Sequence, residues 1–176
     1  ASDCRFVADW CSQHGIECLT GSGDVRRRAE LDGMGEEEAA RASRYEFLES
    51  SAEKLGCDVI ATAHNANDNA ETMLFNLTRG GGLKGLCGIP PKRGNIVRPL
   101  LGTTRQEIEA YNAANAIEYV SDKTNASDDY TRNVLRHHVT PVLEGINPAF
   151  FEACTRTAQL LREDEACLDD MARKAY

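Results

Sequence analysis

The segment TAHNANDNAET, residues 62–72, concentrates hydrogen-bonding side chains directly after the apolar stretch DVIA. Asp68 and Glu71 are three positions apart within it, so on a helix their carboxylates lie on the same face. Two neighbouring carboxylates are suited to binding a magnesium ion or an ammonium group. The spacing therefore predicts a cation-binding acid pair. The alternative is that both acids only interact favourably with the helix dipole.

The elements on either side predict where this segment lies. Residues 58–63 read as a buried strand, and residues 66–79 as a helix with one apolar face. Ligands of open parallel sheets bind beyond the carboxyl ends of the strands, where the next helix presents free N–H groups. His64, Asn65 and Asn67 are therefore expected at the mouth of a site. The local alternative is that Asn65 or Asn67 merely caps the helix.

Basic residues are concentrated in one part of an acidic chain. The net charge is −8 and the pI about 5.0, which argues against non-specific nucleic-acid binding by the whole surface. No acidic residue occurs between Glu71 and Glu107, however. That segment contains the basic residues Arg79, Lys84, Lys92, Arg93, Arg98 and Arg105. It is either a phosphate-binding region or a solvated loop.

Three further arginines are placed by helical spacing. Arg132 and Arg136 are one turn apart and could form a phosphate clamp, although two arginines on a helix are usually only solubilising. Arg41 shares a stripe with Tyr45 and Leu48, which predicts a guanidinium that points inward. Its alternative is a pair with an acid one turn away on a solvated face.

The predicted elements indicate one α/β domain with a three-layer parallel sheet. Its length of 176 residues, 41% of them hydrophobic, allows a single core. Helices are predicted at 2–14, 36–55, 66–79, 105–116, 130–144 and from 148, strands at 16–20, 58–63 and 95–100, and a mobile loop at 21–35. The seven cysteines form no C-x-x-C pair, so a zinc or disulfide framework is not expected. A soluble, cytoplasmic protein is expected, since neither a membrane span nor an export signal is visible.

Five ordered motifs resemble the tRNA(Ile)-lysidine synthetase family of N-type ATP pyrophosphatases, the PP-loop enzymes. EEEAARASRYEFL is similar to E-x-A-A-R-x-x-R-Y-x-x-L. AHNANDNAETMLFNLTRGGGLKGL resembles G-H-H-x-D-D-Q-x-E-T followed by R-G-[ST]-G-x-x-G-L. VRPLL recurs in order, and SDKTNASDDYTRNVLRHHVTPVL is similar to D-x-[ST]-N, then Y-x-R-N-x-x-R and a proline.

The resemblance implies an adenine nucleotide alpha-hydrolase-like fold and ATP-dependent ligation of free L-lysine to the anticodon wobble cytidine of tRNA(Ile), through an adenylated cytidine. ATP and Mg²⁺ are the implied cofactors, and a homodimer is left open. Matching positions give catalytic roles to Asp68, His64 and Arg41, and a magnesium role to Asp68. They give substrate contacts to Glu71, Asn65, Asn67 and Arg44. Phosphate or tRNA contacts fall on Arg79, Lys84, Arg98, Arg132 and Arg136.

The chain also departs from the family pattern. Asn65, Asn67 and Asn69 replace the usual histidine, aspartate and glutamine, and the S-G-G-x-D-S loop is absent. We expect a partial catalytic domain over residues 1–146, without its first two strands, and a connector helix over 147–176 toward an absent C-terminal domain. Another PP-loop tRNA-modifying enzyme, such as a thiolase, and a non-catalytic RNA-binding remnant are the alternatives.

Overall fold

The structure is a computed structural model that describes residues 2–120 and 131–175. The predicted polar turn at 121–129, with the SDKTN motif, lies outside the described residues. The chain divides into two compact units, Ala1–Ile60 and Ala61–Tyr176. None of the helices in the described part is both long and apolar enough to cross a membrane.

The first unit is helical: α1 (Ser2–Gln13), α2 (Val25–Asp32) and α3 (Glu36–Leu55). The predicted bounds of α3 are confirmed. Glutamates occupy its first turn, and Gly56 ends it in the left-handed conformation, at φ 64°. In α2, Arg28 is bound to Asp32 on its own helix and to Glu46 on α3.

Two of the elements predicted for the first unit are wrong. Residues 16–20 have no regular secondary structure, and the predicted loop 21–35 contains α2. Asp24 caps α2 by accepting a hydrogen bond from the Arg27 amide, and Gly33 ends it at φ 65°. The glycines that suggested a loop therefore flank a short helix rather than prevent one.

The second unit combines helices with short strands. Its elements are β1 (Ile60–Ala61, which begins at the last residue of the first unit), α4 (Ala66–Thr78), α5 (Leu83–Leu86), β2 (Lys92–Arg93), β3 (Ile96–Val97), α6 (Arg105–Ala114), α7 (Thr131–Val134), α8 (Thr140–Ile146) and α9 (Phe150–Ala175). The strand order is β1-β3-β2. The strand β2, which the sequence analysis does not predict, pairs antiparallel with β3.

The core of the second unit lies between α4 and α9. Ala66 and Ala70 are almost fully buried against Phe151, with Phe150 and Cys154 packed around them. Because alanine side chains are short, the two helix backbones can approach closely and the rings fill the remaining space. This packing fixes the start of α4, where the sequence analysis places its acid pair.

A π-helix, Leu135–Val139, joins α7 to α8. Pro141 has no N–H and cannot donate to the carbonyl of His137, as a regular helix requires. The amide of Thr140 donates to the Leu135 carbonyl instead, five residues back. The hydroxyl of Thr140 donates to the Arg136 carbonyl at 2.9 Å, so that oxygen is also bonded. Such wide turns are often found at functional sites, and this one includes Arg136.

An acidic cleft at the start of α4

The first turn of α4 is held by a reciprocal capping box. The Asn65 side chain accepts from the Asp68 amide at 3.0 Å, and Oδ2 of Asp68 accepts from the Asn65 amide at 2.9 Å. Asn65 is therefore the helix cap, as the local alternative proposed. The same bond uses one oxygen of Asp68 and fixes the direction of the other.

Asn67 and Asn69 tie α4 to two other segments. Oδ1 of Asn67 accepts from the Arg105 amide at the start of α6, at 2.8 Å. Asn69 is fully buried, and its Oδ1 accepts from the Ile89 amide at 2.8 Å. Gly88 passes so close that an added Cβ would lie 2.3 Å from that oxygen, and its φ is +66°. The three asparagines of this segment therefore all have structural roles.

Glu71 and Arg136 form a two-pronged ion pair within the second unit. Nε of Arg136 donates to Oε1 of Glu71 at 2.7 Å, and Nη2 donates to Oε2 at 2.9 Å. The side chain of Glu71 is 4% exposed and that of Arg136 is 28% exposed. Hydrogen bonding to Glu71 is the main reason that the pKa of Arg136 is raised. The guanidinium of Arg136 is therefore charged across the physiological pH range.

Asp68 completes the acid pair that the spacing predicts. Its Oδ1 lies 3.7 Å from Nη2 of Arg136, which is an ion-pair distance but too long for a hydrogen bond. Asp68 and Glu71 therefore face the same guanidinium from one helix face. They differ in availability, because both oxygens of Glu71 accept from Arg136, whereas Oδ1 of Asp68 does not accept a hydrogen bond from it.

These side chains line a cleft of about 140 Å³. The lining residues are Asn65, Asn67, Asp68, Glu71, Arg105, Arg136, Thr140, Pro141, Glu144 and Phe151. Glu144 is an acid that the sequence analysis misses, since nothing in its local pattern connects it to α4. Among the described lining residues, three carboxylates stand against two guanidiniums, and this net negative charge favours a cation.

The fit of a magnesium ion to this cleft depends on Asp68. No group of three or more metal-binding side chains occurs among the residues that the structure describes. Both oxygens of Glu71 accept hydrogen bonds from Arg136, so Oδ1 of Asp68 is the more available carboxylate oxygen. Magnesium is commonly held by one or two carboxylates together with substrate phosphates. Asp68 fits that kind of shared site and does not fit a site built from protein groups alone.

The other predicted residues of the second unit lie in different surroundings. His64 directs its Nδ1 to the hydroxyl of Thr62, 2.9 Å away. Arg79 is exposed with its guanidinium over the ring of Phe75, and Lys84 is exposed on α5. Arg98 is buried and Arg132 is half-buried. Their predicted contacts to phosphate or tRNA stay predictions.

Arg136 has a partner that the spacing does not predict, since two of its nitrogens are bound to Glu71. The phosphate clamp predicted for Arg132 and Arg136 stays a prediction. Arg41 and Arg44 belong to the first unit and are exposed there. The inward orientation predicted for Arg41 is wrong, since its guanidinium lies 5.2 Å from the ring centroid of Tyr45 on an exposed face.

Comparison with known proteins identifies the family. The family model described as "PP-loop domain" matches residues 1–143, most of the chain. The chain belongs to the PP-loop family. It is similar to proteins named tRNA(Ile)-lysidine synthase from Thermosipho africanus (42% identical, covering 94% of this chain and 39% of that protein) and from Geobacillus kaustophilus (38% identical, covering 97% and 38%). This PP-loop chain spans about two fifths of the length of such relatives.

A solved structure shows the same fold. A U34-tRNA thiolase from Methanococcus maripaludis, solved with its [4Fe-4S] cluster, has a TM-score of 0.71 to this chain at 19% identity. The match covers 92% of this chain and 57% of the thiolase. Together with the PP-loop match, it confirms the predicted α/β class, of the adenine nucleotide alpha-hydrolase type.

Proposed function

We propose that this chain is the PP-loop part of an enzyme that ligates L-lysine to the wobble cytidine of tRNA(Ile). Residues 1–146 would supply the catalytic domain and 147–176 the connector helix. Support comes from the five sequence motifs and from several bacterial relatives that are named tRNA(Ile)-lysidine synthase. The PP-loop family membership supports the use of ATP.

The single observation that carries the proposal is the net negative cleft around Asp68. At about 140 Å³ it is smaller than the usual pocket for a drug-sized ligand, which measures roughly 300–1000 Å³. It is therefore suited to a short cationic group rather than to a whole nucleotide. The ε-ammonium of lysine is such a group, and Oδ1 of Asp68 is available to accept from it.

In this proposal, Glu71 and Arg136 hold the side chains of the cleft in a fixed geometry. The two-pronged pair holds Arg136 beside Asp68, and the arginine can also approach an anion at the mouth of the cleft. Glu144 adds negative charge to the lining. Glu71 contributes through Arg136, so it is a positioning residue and Asp68 is the direct contact.

The remaining roles follow from the resemblance. His64 and Arg41 are proposed to act at the reacting centre, and Arg44 at the substrate. Asp68 would share a magnesium ion with ATP phosphates, and the ion would neutralise charge on the pyrophosphate that leaves. The cations proposed to steady tRNA or nucleotide phosphates are Arg79, Lys84 and Arg132, with Arg136 at the cleft; Arg98 is buried, so a separate ligand is proposed for it.

The test measures lysine incorporation into a tRNA(Ile) transcript by the full-length gene product. Release of pyrophosphate should require both lysine and tRNA. We expect Asp68→Ala to lower kcat/KM for lysine by about tenfold or more, because it removes a direct charged contact. Asp170→Ala is the matched control, since Asp170 is exposed on α9 and bound to Lys174.

The outcomes separate the alternatives. Full turnover by Asp68→Ala would remove that carboxylate from the mechanism. Incorporation of sulfur in place of lysine would make the protein a thiolase. Tight tRNA binding without any ATP-dependent product would indicate a non-catalytic RNA-binding protein.

A further inference from the structure

Arg98 is a buried cation without a counter-charge among the described residues. The residue is 5% exposed, and its Nη1 donates to the carbonyl of Pro90 at 2.5 Å. Its Nε has no hydrogen-bond partner, and within residues 2–120 and 131–175 no carboxylate lies within ion-pair distance of it. Buried charges are ordinarily paired, so this guanidinium is incompletely satisfied.

The same residue lines a cleft of about 550 Å³ in the second unit, between the segment that follows β3 and helix α9. Its lining residues are Pro91, Arg98, Leu101, Gly102, Thr155, Gln159, Arg162, Glu163 and Ala166. The hydroxyl of Thr155 is also buried without a partner. Two unsatisfied polar groups therefore border one cavity, which indicates that something polar belongs there.

The charge of the lining favours an anion. Arg162 is held by hydrogen bonds from Nε to the Cys87 carbonyl and from Nη2 to the Ile89 carbonyl. Burial lowers its pKa, which shows that part of its hydration has been lost. Glu163 is the one acid of the described lining, and it is exposed and bound to Gln159. Two guanidiniums against one carboxylate at the rim give a net positive cavity.

We propose that this cleft is a second ligand site, which binds a small organic molecule with one carboxylate or phosphate group and an apolar body. The anionic group would meet Arg98 and Thr155, and Pro91, Leu101 and Ala166 would cover the apolar part. The volume lies within the range of small-molecule pockets. The site is separate from the Asp68 cleft and does not depend on the proposed function.

The depth of Arg98 favours a free small molecule over an RNA phosphate. Backbone phosphates of RNA are met by cations that reach out from the surface. Arg79 and Lys84 have that exposure in the second unit, whereas Arg98 does not. A compact ligand can enter a cleft that a nucleic-acid backbone cannot follow.

In the test, the full-length protein is titrated with benzoate and with phenyl phosphate, and calorimetry measures the binding. Benzyl alcohol serves as the neutral analogue, and sodium chloride controls for ionic strength. We expect saturable binding of at least one anion, with benzyl alcohol about tenfold weaker or more. Thr155→Val should weaken the anion by about tenfold, since it removes one hydrogen bond to a charged group. Thr157→Val, at an exposed position of the same helix, should bind as the unmodified protein does.

The identity of the anion that binds tells a carboxylate ligand from a phosphate ligand. Equal binding of benzyl alcohol and both anions would mean a merely apolar cavity and would overturn the proposal. Unsaturable binding, or unchanged affinity in Thr155→Val, would do the same. Loss of tRNA binding in Thr155→Val, without anion binding by the unmodified protein, would make the cleft an RNA contact instead.

Discussion

The two units each contain an arginine bound through two nitrogens to a glutamate, but in different surroundings. The side chain of Arg28 is 26% exposed and that of Arg136 is 28% exposed, so the two arginines are exposed to solvent to nearly the same extent. Their partners differ widely, since Glu46 is 63% exposed and Glu71 is 4% exposed. The burial of the glutamate therefore decides how much each ion pair contributes to stability.

This difference distinguishes an ion pair that joins two helices at the surface from one that fixes the geometry of a cleft. Arg28 joins α2 to α3 at the surface, where water and salt screen the interaction. Glu71 is shielded from water and its charge is balanced by Arg136. The position of Arg136 beside Asp68 is therefore strongly determined. The same chemical pair can thus hold two helices together loosely or fix the geometry of a cleft.

The largest expected effect comes from breaking the buried pair. Glu71→Gln should lower the free energy of unfolding by about 2–3 kcal/mol, because Arg136 then keeps its charge without a full partner in a partly buried place. Glu46→Gln, the matched change in the first unit, should have little effect. Urea unfolding of both variants measures the difference. Equal losses would show that burial of the acid does not distinguish the two pairs.

A smaller effect is expected from the helix caps of the two units. Asn65→Ala removes half of the capping box and should cost about 1 kcal/mol. It should also lower lysine-dependent activity, because the Asp68 amide loses its acceptor and the first turn that carries the Asp68 side chain is then less firmly held. Asp24→Ala removes the cap of α2 and should destabilise without changing activity. Thermal unfolding and kcat/KM for lysine check both variants, and an unimpaired Asn65→Ala enzyme would contradict the positioning role.

The smallest effect concerns pH. The hydrogen bond from Arg28 lowers the pKa of Glu46 below its ordinary value of 4.5. The stabilisation is therefore complete above that value and is lost as the pH falls through the lowered pKa. The difference in Tm between the unmodified protein and Glu46→Gln should shrink below pH 4.5 and then vanish. Glu49→Gln, on the same exposed face of α3, controls for charge alone. A Tm difference that persists at low pH would rule out this linkage.

The sequence predicts elements well where local signals agree. The bounds of α3 follow from acidic residues at its start and a glycine at its end. The helix α6 begins at Arg105 as predicted, and Thr104 and Glu107 form a capping box at its start. The shared face of Asp68 and Glu71 follows from helical spacing alone.

Features that depend on distant residues are not visible in this way. The hydrogen bond between Asn69 and Ile89 has no local signature, because it requires a partner brought close by the fold. The ion pair of Arg136 with Glu71 has no local signature either, because 65 positions separate the two residues. Glu144 lines the cleft only because α8 follows the π-helix, which packs against α4. The strand β2 is different, since it pairs with β3 across the two-residue turn Gly94-Asn95, a local hairpin signal that was missed.

The wide turn at Leu135–Val139 makes this part of the chain intolerant of a change in length. Each residue of a helix advances its direction by about 100°. Loss of one residue would restore a regular helix and rotate everything on one side of the turn by that angle relative to the other side. Arg136 and Thr140 could then no longer both face α4. A surface loop of equal size would absorb the same deletion, so insertions and deletions in relatives should avoid this segment.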